Sequence, residues 1–203
     1  MDAAIIAKCA DPDLKPAIVQ QFLAAVGSDD PLAITVKEDG RLVLIPRPRS
    51  PDEALQVAKE YLGHAVVRVG ITQYPAGVGI ADTSQLQPDV FDGCENVRTG
   101  TAIFAKVGRI VTKWYGRPTN KDLLPQMLDD AIYAWKTGNF EGANVFRAED
   151  PGGPTFFAAK AALPAEPDQQ AGKATPDQEP EAAVPATAEA GIRIDLSRIG
   201  GTK

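Results

Sequence analysis

The stretch Phe91-Asp92-Gly93-Cys94-Glu95-Asn96-Val97-Arg98-Thr99-Gly100 constrains the fold more than any other part of the chain. Asp92 and Glu95 stand at the N-cap and N3 positions of a capping box, so a helix starts here, its first amides finding side-chain oxygens as partners. Cys94 falls in the first turn, and Gly100 leaves room for another backbone to pack closely. Ile103, Val107, Ile110, Val111 and Trp114 then recur at helical spacing, predicting a long amphipathic helix with that stripe buried. Leu124, Leu128, Ala131, Ile132 and Trp135 repeat the pattern, and Gly138 is placed to end that second helix. The turn around Gly116-Arg117-Pro118 lets the two stripes pack on each other.

Upstream, a helix is predicted from near Leu14, with Pro16 in its first turn and Val19, Phe22, Leu23 and Val26 as its core stripe. Gly27 and Ser28 end it. Leu32-Ala33-Ile34-Thr35-Val36 and Leu42-Val43-Leu44-Ile45 flank Glu38-Asp39-Gly40, which reads as a β-hairpin closed by a glycine-containing turn. Ser50-Pro51-Asp52-Glu53 is a second capping box with proline at N1, followed by a buried face of Leu55, Ala58 and Leu62. From Val66 to Ile80 the chain is apolar and glycine-rich, predicting strand and loop. The fold class is therefore α+β, mostly helical, with a small β-hairpin.

A chain of 203 residues with 44% hydrophobic content can bury one sizeable core. That core is assigned to residues 1–157. From Ala158 to about Gly191 the composition turns to Ala, Pro, Glu and Gln, with too little apolar surface to offset conformational entropy. Residues 158–203 are thus read as a disordered tail. Ile192, Ile194, Leu196 and Ile199 restore apolar character near its end. They fit either a sticky terminus or a short motif that folds on a partner.

The formal charge of −6 argues against direct nucleic-acid binding, which needs a basic surface to neutralise phosphates. No apolar run approaches membrane-spanning length. His64 is the one histidine and Cys9 and Cys94 are the two cysteines. That set is too sparse for a structural zinc site or a Ser-His-Asp triad, and neither metal nor cofactor is expected. Cys9 and Cys94 either pair in an oxidising compartment or lie buried as two thiols. The first residues, Met1-Asp2-Ala3-Ala4-Ile5-Ile6-Ala7-Lys8, lack the basic and apolar regions of a signal peptide.

Three blocks in order, Gly70-Ile71-Thr72-Gln73-Tyr74, then Phe91 to Asn96, then Trp135-Lys136-Thr137-Gly138-Asn139-Phe140, resemble those of the lytic transglycosylases of type IV secretion and conjugation systems. The resemblance runs from about Cys9 to Phe140 and extends to small conjugal-transfer proteins related to those enzymes. It implies a lysozyme-like domain, a place in plasmid transfer, and peptidoglycan glycan strands or conjugation-machine proteins as partners. It also implies the periplasm or cell envelope, whereas the missing signal peptide leaves the cytoplasm open.

Such enzymes need one protonated carboxylic acid, because the muramoyl 6-hydroxyl itself attacks the anomeric carbon. The family sets this glutamate at the end of a helix, five residues before an Asn-Pro-Leu-Ala-Ile-like stretch. Asp30-Pro31-Leu32-Ala33-Ile34 matches that stretch, and the fifth residue before Pro31 is Val26. A valine transfers no proton. Asp29 and Asp30 are the nearest acids, in the loop beyond the helix. General acid catalysis is worth about 10²–10⁴-fold in rate, so the expectation is a protein that binds without efficient cleavage. An active enzyme with a relocated acid and a cytosolic interaction protein are the rivals. By resemblance, Gln73, Tyr74, Trp135 and Asn139 would contact substrate. Solvent for Gln73, the core for Trp135 and a helix end for Asn139 are the structural alternatives. Lys136 stands where the family has asparagine. Capping and solvation suffice to explain Glu95 and Glu141.

Overall fold

The computed structural model describes residues 3–158, and the predicted tail lies outside them. Helix α1 (Ala3–Cys9) precedes α2 (Pro16–Val26), which begins with Pro16 in the first turn and ends where the Gly27 amide donates to the Leu23 carbonyl. Strands β1 (Ile34–Glu38) and β2 (Arg41–Val43) form the hairpin. Asp39 and Gly40 both take positive φ, 48° and 77°, the two-residue turn whose twist matches the strands. Helix α3 (Pro51–Tyr61) follows, then β3 (Val66–Val69) and β4 (Tyr74–Pro75). The order β2-β1-β3-β4 makes one antiparallel sheet. Helices α4 (Gly93–Trp114) and α5 (Leu124–Thr137) complete the core, and a short hairpin of β5 (Asn139–Phe140) and β6 (Ala143–Asn144) closes the region. The fold is α+β with a small antiparallel sheet, as the periodicities require.

Alternation splits the sheet into two faces. Val36, Val67 and Val69 point inward and are buried, whereas Lys37 and Val66 face out. Beneath the inner face lies an aromatic centre. Phe22 of α2 stacks on Phe104 of α4 at 4.0 Å, and Trp135 of α5 meets Phe22 edge-on at 4.9 Å. Three helices thus converge on one set of rings, each burying a large apolar area.

Two motif blocks that are far apart in sequence lock together here. The Asn96 side chain, wholly buried, accepts from the Thr72 amide at 2.8 Å and the Thr72 hydroxyl at 2.9 Å. Its Nδ2 donates to the Val90 and Val69 carbonyls at 2.8 and 3.2 Å. Gly70 and Gly100 permit this approach. A Cβ on Gly70 would fall 2.0 Å from Asn96 Nδ2, and one on Gly100 2.0 Å from Thr72 Oγ1. The Phe91–Gly100 block is therefore the frame into which the Gly70–Tyr74 turn is bolted.

Several local expectations need correction. Asp92 Oδ1 caps α4 by accepting from the Cys94 and Glu95 amides, but Glu95 pairs with Arg98 rather than returning to the cap. Ser50 caps α3 through the Glu53 amide, and Glu53 reaches back one residue further, to the Arg49 amide. Along α4 the buried surface is broader than one stripe, taking in Val97, Thr101, Phe104, Ala105 and Gly108. Phe157 and α1 cover it from other sides. Trp114, in the last turn beyond this cover, is 55% exposed. On α3 the buried positions are Ala54 and Ala58, with Leu55 and Leu62 only half-buried. Cys9 and Cys94 form a disulfide with Cα atoms 5.3 Å apart, tying α1 to the first turn of α4.

Candidate functional site

The outer face of the sheet is the floor of an open groove of about 1220 Å³, walled by the C-terminal end of α5 and the residues around β6. Strand alternation places Lys37 and Arg68 on the floor, and Lys136 and Arg147 come from the wall. His64 also lines it, and among the described residues Asp39 of the hairpin turn is the one carboxylate doing so. A chain of net charge −6 thus gathers four of its cations around one concavity. Such an arrangement attracts carboxylates, and salt would weaken it.

Arg68 organises this site. Its Nη1 donates to the Gln73 carbonyl at 2.9 Å, and its Nη2 to the Trp135 and Lys136 carbonyls at 2.6 and 3.1 Å. The guanidinium carbon lies 5.7 Å from the centre of the Phe146 ring. One cation therefore satisfies the last carbonyls of α5, complements the helix dipole, and fixes the β3–β4 turn to it. Burial pulls the Arg68 pKa below the ordinary arginine value. Sequence reasoning missed this residue, although a lone charge in Val66-Val67-Arg68-Val69 was the available signal.

None of Val26, Asp29, Asp30, Gln73, Tyr74, Trp135 or Asn139 lines the groove. Val26 is half-buried at the end of α2, packed against the core. Asp29 is exposed and borders a smaller hollow of about 370 Å³ beside Gly27 and Ser28. Asp30 Oδ2 accepts from Arg47 Nε and Nη2 at 3.0 and 2.7 Å, while Oδ1 accepts from the Leu32 amide. Those bonds fold the loop and occupy both carboxylate oxygens.

Gln73 is buried at a positive φ of 52°, and its side chain faces inward. Oε1 accepts from the Thr35 hydroxyl at 2.7 Å, and Nε2 donates to the Gly70 carbonyl at 2.8 Å. Tyr74 is buried too, its hydroxyl pKa pushed upward by burial and then by the charges of Asp89 and Glu95. Trp135 is wholly enclosed, and its indole N–H has no hydrogen-bond partner among the described residues. Asn139 is exposed, and its amide donates to the Thr137 carbonyl at the end of α5. Only the backbones of Gln73 and Trp135 meet, through Arg68.

Among the described residues no cluster of three or more His, Cys, Asp or Glu side chains is arranged to hold a metal ion, and no helix is long and apolar enough to cross a membrane. The chain is 52% identical to the uncharacterised protein y4dP of Sinorhizobium fredii (strain NBRC 101917 / NGR234) over 202 residues, covering the full length of both. No solved structure matches it. The TraH_2 family matches residues 1–201, and the chain belongs to that family, of TraH-type conjugal transfer proteins.

Proposed function

We propose that this protein is an accessory of plasmid conjugal transfer whose sheet-face groove holds peptidoglycan without cleaving it efficiently, on a scaffold related to the lysozyme-like transglycosylases. The observation that carries the reading is the convergence of Lys37, Arg68, Lys136 and Arg147 on one groove. Peptidoglycan stem peptides present free carboxylates, which such a groove attracts. The hydrocarbon of Val26 and the Arg47-bound state of Asp30 support binding without acid catalysis. The Cys9–Cys94 bond fits an oxidising envelope compartment better than the cytoplasm.

The test is co-sedimentation of the disulfide-intact protein with insoluble peptidoglycan, with mass spectrometry of the soluble products. Expected are a bound fraction that falls several-fold in K37E/R147E, and no anhydro-muropeptides. Failure to sediment would instead leave a machine protein as the partner of this groove. The exposed position of Asp29 beside the smaller hollow favours one second reading, an enzyme with a relocated acid. Anhydro products abolished by Asp29→Ala would establish that reading and overturn the first.

A further inference from the structure

Strand β2 is the outer edge of the four-stranded sheet, and no other strand pairs with it but β1 among the described residues. Hydrogen bonding alternates along an antiparallel ladder. The two-residue turn makes Glu38 and Arg41 a bonded pair, so Lys37 and Leu42 are a non-bonded pair. The Leu42 N–H and C=O therefore point away from β1, toward open space. The side chains on this edge are exposed as well: Leu42 is 61% accessible and Leu44, two residues on, 91%. Leu42, Lys37 and Val66 are cross-strand neighbours in one row on the outer face, and Val66 is 53% exposed.

Natural sheets guard their edges with charge, proline or cover. Pro46 and Pro48 follow β2 and limit any added pairing to Arg41 through Ile45, but those five residues are left unguarded apart from Arg41. An unpaired edge with two exposed leucines is the surface that strand addition uses: main-chain bonds supply affinity and alternate side chains supply selection.

We propose that the β2 edge receives an extended segment of a partner protein, paired through Leu42, with apolar side chains over Leu42 and Leu44 and a carboxylate near Lys37 or Arg41. Charge selects this occupant over a second copy. From Arg41 to Arg49 the chain carries three arginines and no acid, so two β2 edges would bring like charges together. Glu38 and Asp39 at the turn, Asp30 on Arg47, and Glu53, whose carboxylate accepts from the Arg49 amide, are the acids nearby. They leave Lys37, Arg41 and Arg49 with no ion pair among the described residues. Lys37 also lines the groove, so a bound segment would run along its rim.

The test uses the full chain with a synthetic nine-residue peptide of alternating valine and glutamate, against a peptide of the same composition in blocked order. Hydrogen exchange should slow at least tenfold at the Leu42 amide with the alternating peptide. Leu42→Pro removes an outward N–H that makes no bond within the hairpin, together with the leucine side chain, so the hairpin should persist by circular dichroism while peptide affinity falls at least tenfold. Leu42→Thr keeps that N–H and should retain binding better than the proline variant. Unchanged exchange at Leu42 with millimolar peptide, or equal binding by Leu42→Pro, would overturn the proposal. Slowing that depends on protein concentration without peptide would assign the edge to a second copy, which also overturns it. Peptidoglycan sedimentation by Leu42→Pro should stay unchanged, separating this edge from the groove.

Discussion

Replacing Asn96 by alanine should destabilise the protein more than almost any other single polar truncation. The side chain makes four bonds, to the Thr72 amide and hydroxyl and to the Val69 and Val90 carbonyls. An ordinary hydrogen bond contributes about 1 kcal/mol net, but a buried group left without a partner costs about 1–3 kcal/mol. Thr72 Oγ1 also lies 3.4 Å from the Asn96 carbonyl, so the hydroxyl can turn to the backbone and recover part of its loss. The Thr72 amide has no such recourse, because Thr72 is wholly buried and water cannot reach it.

Four bonds are thus lost, with the Thr72 amide stranded and its hydroxyl only partly recompensed, giving about 4 kcal/mol in total. For a chain of this size that is a fall in Tm of about 8–16 °C. Thermal and urea unfolding of the oxidised protein would measure it. Asn96→Asp should be at least as damaging at neutral pH, since it sets a carboxylate against two carbonyl oxygens. Arg98→Ala, on the same helix but in an exposed pair, is the control and should lose less than about 1 kcal/mol. A loss below about 1 kcal/mol for Asn96→Ala would refute the claim that this amide joins the two blocks.

Further outcomes follow from other contacts. Cys94→Ser opens a loop spanning 85 residues. Chain entropy assigns such a closure about 4–5 kcal/mol and measured bridges about 2–4 kcal/mol, so the urea midpoint should drop and dithiothreitol should reproduce the drop in the wild type. Gly100→Ala should destabilise by about 1–3 kcal/mol despite alanine's better helix propensity, because the new methyl meets Thr72; a gain in Tm would contradict the close approach. The hydrogen bonds from Arg109, at 2.7 and 2.5 Å, hold the Asp150 pKa below the usual aspartate value. The stability this adds is present above the ordinary aspartate pKa of about 3.9 and lost as pH falls through the depressed one. Asp150→Asn should flatten the acid limb of a stability–pH curve.

What could be read from the sequence was local. The Asp39-Gly40 turn, the Ser50 and Asp92 caps and the Gly138 stop are each fixed by a few adjacent residues whose chemistry permits little else. The groove was not legible, because Lys37, Arg68, Lys136 and Arg147 are dispersed in the chain and converge only when α5 docks on the sheet. Helical spacing also could not rank the tryptophans. Trp114 and Trp135 both fit a stripe, but Trp135 sits where α2 and α4 meet α5, whereas Trp114 sits in the last turn of its helix.

The polar motif residues invite a ligand-binding reading because they are polar, yet burial reverses that inference for Gln73. To reach a sugar, its amide would have to leave the Thr35 hydroxyl and the Gly70 carbonyl and rotate out of a turn held at positive φ. The Gly70 carbonyl would lose a partner inside the protein at about 1–3 kcal/mol, and the half-buried Thr35 hydroxyl would lose its partner too, which a single exposed hydrogen bond to a sugar cannot offset. The same logic applies to Asn96 and Thr72, which hold each other. Such residues suit the architecture whether or not glycan is cleaved, since removing any of them damages the fold before it touches chemistry. Val26 differs in kind: half-buried at the end of α2, it packs against the core and its hydrocarbon side chain has no hydrogen bond to surrender. Packing and buried hydrogen bonds therefore suffice to account for these motif residues, whatever stands at the end of α2. For that reason agreement in the blocks speaks for the frame and carries no argument about activity.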